Sequence, residues 1–235
     1  MDELARLIVE RMAATDRRPF LIGIAGSVAV GKSTIAEALR ARLADGPGRP
    51  VVAVVPTDGF LLPNAVLETR GIAHRKGFPE SYDTAALTGF LAAVRHGARA
   101  TAPVYDHVTY DVVAGEEQVV VDVDVVIVEG INTLQVDADR YDLAVYVDAD
   151  EGAVVGWFVE RLVGLWTASR HDPDSFFHPL AGLSEDEVRA MAHAVWDAVN
   201  GPNLRQHILP SRDHADLIID KAADHSVLRV RSQPR

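Results

Sequence analysis

Apolar residues along this chain fall into two alternating spacings. Leu4, Leu7, Ile8 and Met12 recur at three-and-four intervals, which predicts an amphipathic helix over residues 2–15. Phe20 to Ala25 is a continuous apolar run and reads as a buried strand, and residues 33–43 read as a helix with one apolar face. Val51 to Val55 is another unbroken run, the pattern of a central parallel strand. A helix from about 85 to 96, capped by Asp83 or Thr84, stops at Gly97. Residues 103–121 alternate enough for short strands turning at Ala114-Gly115. Val125–Val128 and Leu143–Val147 are further buried strands, helices follow at 151–168, 185–199 and near 203–208, and Leu217–Ile219 and Val227–Val230 close the sheet. Residues 56–82, rich in Gly, Pro and charge, read as a long functional loop. Strands alternating with helices predict a single α/β domain over 1–235, a mostly parallel sheet with helices on both faces. Ligands then lie at the carboxyl ends of the strands.

The first strand leads into Gly26-Ser27-Val28-Ala29-Val30-Gly31-Lys32-Ser33-Thr34 and then into a helix. Gly-x4-Gly-Lys-Ser between a strand and a helix is the arrangement of a P-loop. Its glycines let main-chain N–H groups turn inward onto phosphate oxygens. The helix N-terminus adds partial positive charge. Lys32 can reach the β- and γ-phosphates of ATP, and the Ser33 hydroxyl can ligate Mg²⁺. This predicts a P-loop nucleotide-binding fold, which the resemblance given below narrows to a P-loop kinase with a lid and substrate insertion.

Composition narrows the ligand. Asp plus Glu number 34 against 23 Lys plus Arg, a net charge of −11, which disfavours a nucleic-acid substrate. There is no cysteine, so no disulfide or thiolate chemistry. No 18-residue apolar run predicts a membrane span, and the acidic start Met1-Asp2-Glu3 is unlike a signal peptide, so a soluble cytoplasmic protein is expected.

Two carboxylates end strand runs. Asp58, in Thr57-Asp58-Gly59-Phe60, falls at the P-loop edge of a parallel sheet and is the candidate for accepting a hydroxyl proton. Glu129, ending Val125-Val-Ile-Val-Glu129, is a Walker-B-like candidate for Mg²⁺. Tyr105, His107 and Tyr110 carry rings with polar tips, suited equally to a small-molecule pocket or to an exposed hairpin. Residues 157–178 read as a helix and mobile lid, with Arg161 the cation for the transferring phosphoryl group. Arg70, His74, Arg75 and Lys76 either attract an anion or form a solvated loop.

The chain resembles the bacterial type I pantothenate kinases. The resemblance rests on the P-loop, Thr57-Asp-Gly-Phe60, Lys76-Gly-Phe-Pro-Glu-Ser-Tyr-Asp83, Ala102-Pro-Val-Tyr105 with His107 and Tyr110, Asp172-Pro-Asp-Ser175, Asn200-Gly-Pro-Asn-Leu, Ile208-Leu-Pro-Ser-Arg212 and Lys221-Ala-Ala-Asp-His225. It implies ATP-dependent phosphorylation of the primary hydroxyl of pantothenate, with Asp58 as base and Arg161 on the γ-phosphate. It implies Tyr105, His107, Tyr110 and Asn200 around pantothenate, Lys221 and His225 near the adenine, and a homodimer. Phe158 and Phe176 stand where the family usually has pocket tyrosines, and Leu162 and Leu165 where it has phenylalanines, which implies a roomier, less polar pocket. Glu37 stands where the family has an arginine associated with coenzyme A inhibition, so weak inhibition is expected. Typical members carry several tens of residues before the first strand that are absent here, including part of the adenine surroundings. A related kinase acting on a nucleoside or sugar is the alternative.

Overall fold

Phe20–Gly26 (β1) is buried along its whole length, as a strand covered on both faces must be. The structure is a computed structural model describing residues 2–136 and 138–233. Asp2–Ala13 (α1) precedes β1 and buries Leu4 and Ile8 against the domain. After β1 come Lys32–Ala44 (α2), Val52–Pro56 (β2), Asn64–Thr69 (α3) and Thr84–Arg95 (α4). An antiparallel ribbon, Ala100–Asp106 (β3) with Asp111–Val120 (β4), follows. Val125–Glu129 (β5), Leu143–Ala149 (β6), Glu151–Ser169 (α5), Glu185–Val195 (α6), Leu217–Lys221 (β7) and Val227–Ser232 (β8) complete the chain.

The main sheet has six strands in the order β2-β5-β1-β6-β7-β8. All neighbours are parallel except β7 with β8. The residue just before each of three strands is an aspartate that ties it to a neighbouring segment. Asp124 accepts from the Val51 N–H at 2.7 Å, Asp142 from Leu21 at 2.8 Å and Asp216 from Ala144 at 2.8 Å. These bonds fix register at the amino ends, so the carboxyl ends of β1, β2 and β5 come together as one rim.

Several sequence expectations are corrected. β2 is an edge strand, not a central one. Its apolar run is explained by covering from two sides: α2 packs on it, and the ribbon reaches it through Gln118 Nε2, which donates to Val54 O at 2.8 Å. The ribbon turns at residues 107–110, not at Ala114-Gly115. The Asp106 carboxylate builds that turn by accepting from the N–H groups of Val108 and Thr109 and from the Thr109 hydroxyl. Gly115, at φ 79°, lies within β4, where the ladder shifts register between Pro103 and Tyr105 as a bulge does. Residues 57–82 are a chain of short helical pieces, Thr57–Phe60, α3, Ala73–Arg75 and Pro79–Ser81, rather than an open loop. The separate helix near 203–208 is instead part of a helical path from α6 through π segments at Trp196–Asn200 and Leu204–Ile208. No helix among the described residues is long and apolar enough to cross a membrane.

Candidate active site

The P-loop curls because three of its residues use positive φ: Gly26 at 149°, Ala29 at 61° and Gly31 at 92°. Gly26 is also required by space, since a Cβ there would lie 2.5 Å from Val147 O. Gly31 caps α2 without any side-chain bond, which leaves the first N–H groups of the helix facing the loop's interior. Val30 is fully buried beneath the loop, so only its main chain can serve a ligand. Its carbonyl accepts from Lys221 Nζ at 2.7 Å. Lys32 Nζ donates to Ser27 O at 2.8 Å. Burial pulls the Lys32 ammonium below the usual lysine range, while the carboxylates of Glu129 and Asp58 oppose that shift.

Ser33 Oγ donates to Glu129 Oε1 at 2.8 Å. Burial raises the Glu129 carboxyl, with Lys32 and Ser33 opposing. A desolvated carboxylate beside a hydroxyl at the end of a P-loop suits a Mg²⁺ ion that takes its remaining ligands from phosphates and water. Among the described residues no cluster of three acidic, His or Cys groups forms an all-protein metal site.

Asp58 sits in the tight Thr57–Phe60 turn directly after β2. Two contacts hold that turn. Thr57 Oγ1 donates to Asn132 Oδ1 at 2.6 Å in a buried pair. Gly59 passes the ribbon so closely that a Cβ would lie 1.9 Å from Pro103 O. The Asp58 carboxylate lines a cavity of about 760 Å³ together with Lys32, Ser33, Glu129 and Arg161. Tyr105, His107, Tyr110, Phe158, Phe176 and Asn200 form its other walls. The Tyr105 and Tyr110 phenols are pushed up, chiefly by burial and also by Asp58, so they stay protonated donors. Tyr110 stacks on Phe176 at 5.0 Å, and Tyr105 meets Tyr110 edge-on at 5.9 Å. A second cavity, about 920 Å³, adjoins the first at Lys32, Ser33, His107 and Arg161. Ala29, Gly31, Thr34, Lys221 and His225 line it.

Every polar side chain assigned to the nucleotide, the metal, catalysis or the acceptor thus reaches one of two joined cavities, except Ser27, which is buried with its hydroxyl unpartnered, while Arg70 and Arg75 of the basic cluster reach neither. Geometrically this is a phosphate-gripping loop facing a carboxylate and an aromatic chamber. A family profile described as "Phosphoribulokinase / Uridine kinase family" matches residues 21–162. The pantothenate kinase of Sorangium cellulosum is 51% identical over 223 residues, 91% of this chain and 72% of its own. That of Cutibacterium acnes is 48% identical over 227 residues, 91% of this chain and 69% of its own. The chain belongs to the phosphoribulokinase/uridine kinase family, among its pantothenate kinases. Its fold is also that of the D-glycerate 3-kinase from Cryptococcus neoformans, at a TM-score of 0.69 and 15% identity over 99% of this chain and 98% of the other.

As an ATP-dependent kinase of this family, the chain has site residues that sequence reasoning placed too loosely or not at all. Lys76 is no solvated loop residue: it lines the first cavity and bonds Asn64. Arg75, by contrast, pairs with Glu80 outside it. Trp157 stacks on His225 at 4.0 Å and donates to Ala223 O at 2.9 Å, forming a wall of the second cavity. Thr57 and Asn132 support Asp58 from below. The Asp-Gly pairing after an apolar run was the available signal for that turn; nothing local marked Asn132.

Proposed function

We propose that this kinase transfers the γ-phosphoryl group of ATP to the primary hydroxyl of pantothenate, the first step of coenzyme A synthesis. One observation carries the reading: a single cavity joins Lys32, Ser33, Asp58, Glu129 and Arg161 to the wall of Tyr105, His107, Tyr110 and Asn200. In this reaction the acceptor oxygen bonds the γ-phosphorus, the bond from that phosphorus to the bridging oxygen breaks, and ADP leaves. The hydroxyl proton passes to the Asp58 carboxylate. Lys32 and Arg161 offset the charge of the transferring group, and the P-loop amides hold the phosphates in line. Ser33 and Glu129 would hold Mg²⁺, which when bound would neutralise phosphate charge. The phenols of Tyr105 and Tyr110 and the Asn200 amide orient the acceptor, and Phe158 and Phe176 exclude water from it. His225, backed by Trp157, borders the base of the nucleotide, while Lys221 acts on the loop through Val30. Residues 157–178 serve as the lid.

An ADP-release assay with pantothenate, uridine and several sugars tests the acceptor. Turnover is expected with pantothenate. Release with a sugar or nucleoside and none with millimolar pantothenate would replace this reading by the related-kinase alternative. The homodimer and the cytoplasmic setting belong to the same proposal; light scattering giving a monomer would remove the first.

A further inference from the structure

Tyr110, on the wall of the first cavity, is held in a left-handed backbone, at φ 55°. A bulky residue reaches that conformation only when its surroundings over-determine it. Here they do. The Tyr110 carbonyl accepts from Lys76 Nζ at 2.5 Å and from Asn64 Nδ2 at 3.1 Å. Lys76 Nζ also donates to Asn64 Oδ1 at 2.7 Å, closing a triangle. The next residue, Asp111, accepts from the Asn64 N–H at 3.0 Å. The Lys76 ammonium lies 4.7 Å from the Tyr110 ring centre and 5.1 Å from that of Tyr105. Burial lowers Lys76, and Asp111 and Asp58 hold it up. The same ribbon tip is tied to the lid, since Phe176 N–H donates to Val108 O at 2.9 Å.

We propose that Asn64 and Lys76 form a clamp that fixes Tyr110 in its left-handed conformation and thereby sets the affinity for the acceptor. Asn64 does not line the cavity, so its effect on the acceptor passes through Tyr110: it is a positioning residue. Lys76 lines the cavity and acts with it. Released, the ribbon tip relaxes, the Tyr110 ring leaves Phe176, and the acceptor loses an oriented phenol. Nucleotide binding at the P-loop is untouched, because no member of the clamp contacts it. This rests on the acceptor reading given above.

The test is steady-state kinetics on the full-length protein. Asn64→Ala is expected to raise the KM for pantothenate about tenfold, the scale of one lost hydrogen bond. The KM for ATP and kcat should stay within about threefold. Asn64→Asp keeps an oxygen for Lys76 but loses the donor to the Tyr110 carbonyl, so it should return only part of the affinity. Lys76→Met should raise the pantothenate KM at least as much, whatever it does to kcat, and the KM of the double variant should be little worse than that of Lys76→Met alone. An unchanged pantothenate KM in Asn64→Ala, even with a lowered Tm, overturns the clamp. If the wild type fails to turn over pantothenate, the acceptor reading falls, and the clamp is judged on amide hydrogen exchange at residues 107–112. Faster exchange in Asn64→Ala supports it, and equal exchange overturns it.

Discussion

Gly130→Ala is a small change with a large expected effect. Gly130 follows Glu129 at the end of β5 and has ordinary φ, so space alone decides the outcome. A Cβ there would lie 1.7 Å from Thr57 Oγ1, 2.9 Å from Thr57 Cβ and 3.2 Å from Thr57 Cγ2. Thr57 is fully buried and cannot swing into solvent. Clearing the methyl requires rotating or displacing it, which breaks its 2.6 Å bond to Asn132, itself 2% exposed. Overpacking costs about 1–3 kcal/mol, and leaving a buried polar pair unsatisfied costs about 1–3 kcal/mol. The substitution should therefore destabilise by about 2–6 kcal/mol. At about 3 kcal/mol, Tm would fall by roughly 6–12 °C for a chain of this size. Because Thr57 adjoins Asp58, kcat should fall as well. Urea unfolding of Gly130→Ala, Thr57→Ala and the double variant gives the decisive comparison. Thr57→Ala removes the clashing oxygen and already forfeits the hydrogen bond, so the two changes should be sub-additive by about 1–3 kcal/mol. Additivity within about 0.5 kcal/mol, or a Gly130→Ala protein as stable as wild type, would refute the account of how Asp58 is supported.

The remaining expectations concern the chemistry itself. Asp58→Asn should lower kcat by about 10²–10⁴ while leaving ATP binding intact by calorimetry; near-normal turnover removes Asp58 as the base. Arg161→Ala should lower kcat by about 10²–10³, and an intact rate means that Arg161 does not reach the transferring phosphoryl group. Lys221→Met strips the Val30 carbonyl of its donor and should raise the KM for ATP about tenfold, the effect of one unsatisfied loop carbonyl; unchanged ATP use would show that the loop holds its shape alone. Glu37 lines the cavity and accepts from Arg40 Nε at 2.7 Å; because the resemblance puts an arginine tied to coenzyme A inhibition at this position, coenzyme A should inhibit weakly, Glu37→Arg should strengthen inhibition, and strong inhibition of the wild type would refute the assignment.

The parts of this site that were legible in the sequence are those whose meaning is local. Gly26 to Ser33 states its own geometry, because a strand, a glycine-bounded turn and a helix are contiguous. Asp58 and Glu129 could be placed at one rim because each lies at the end of an apolar strand run, and parallel strands bring such ends together. Order within the sheet was not legible: covering by α2 and the ribbon gives the edge strand β2 the composition of a central one. The ribbon turn was misplaced because Ala114-Gly115 carries the familiar glycine signal, while the real turn is made by the Asp106 side chain. Long-range pairs were out of reach. Thr57 and Asn132 are 75 residues apart, and Lys76 and Tyr110 are 34 apart, with no spacing rule linking either pair.

What the folded chain adds is a division between engaged and free charges. Lys32 donates to Ser27, Glu129 accepts from Ser33, Lys76 is shared between Asn64 and Tyr110, and Lys221 holds Val30. Each of these groups fixes a piece of main chain or a neighbouring side chain. Asp58 and Arg161, in contrast, have side chains with no hydrogen bond or ion pair among the described residues. Both line the cavity, Asp58 from the turn after β2 and Arg161 from α5. Two opposite charges lining one cavity without pairing leave room, on the proposed reading, for a reacting group between them. A carboxylate able to accept a proton and a guanidinium able to meet developing negative charge are the two functions that phosphoryl transfer to an alcohol requires. On the proposed reading these two side chains meet the reacting groups without first breaking a bond within the protein, whereas Lys32 and Glu129 exchange theirs for phosphate and metal.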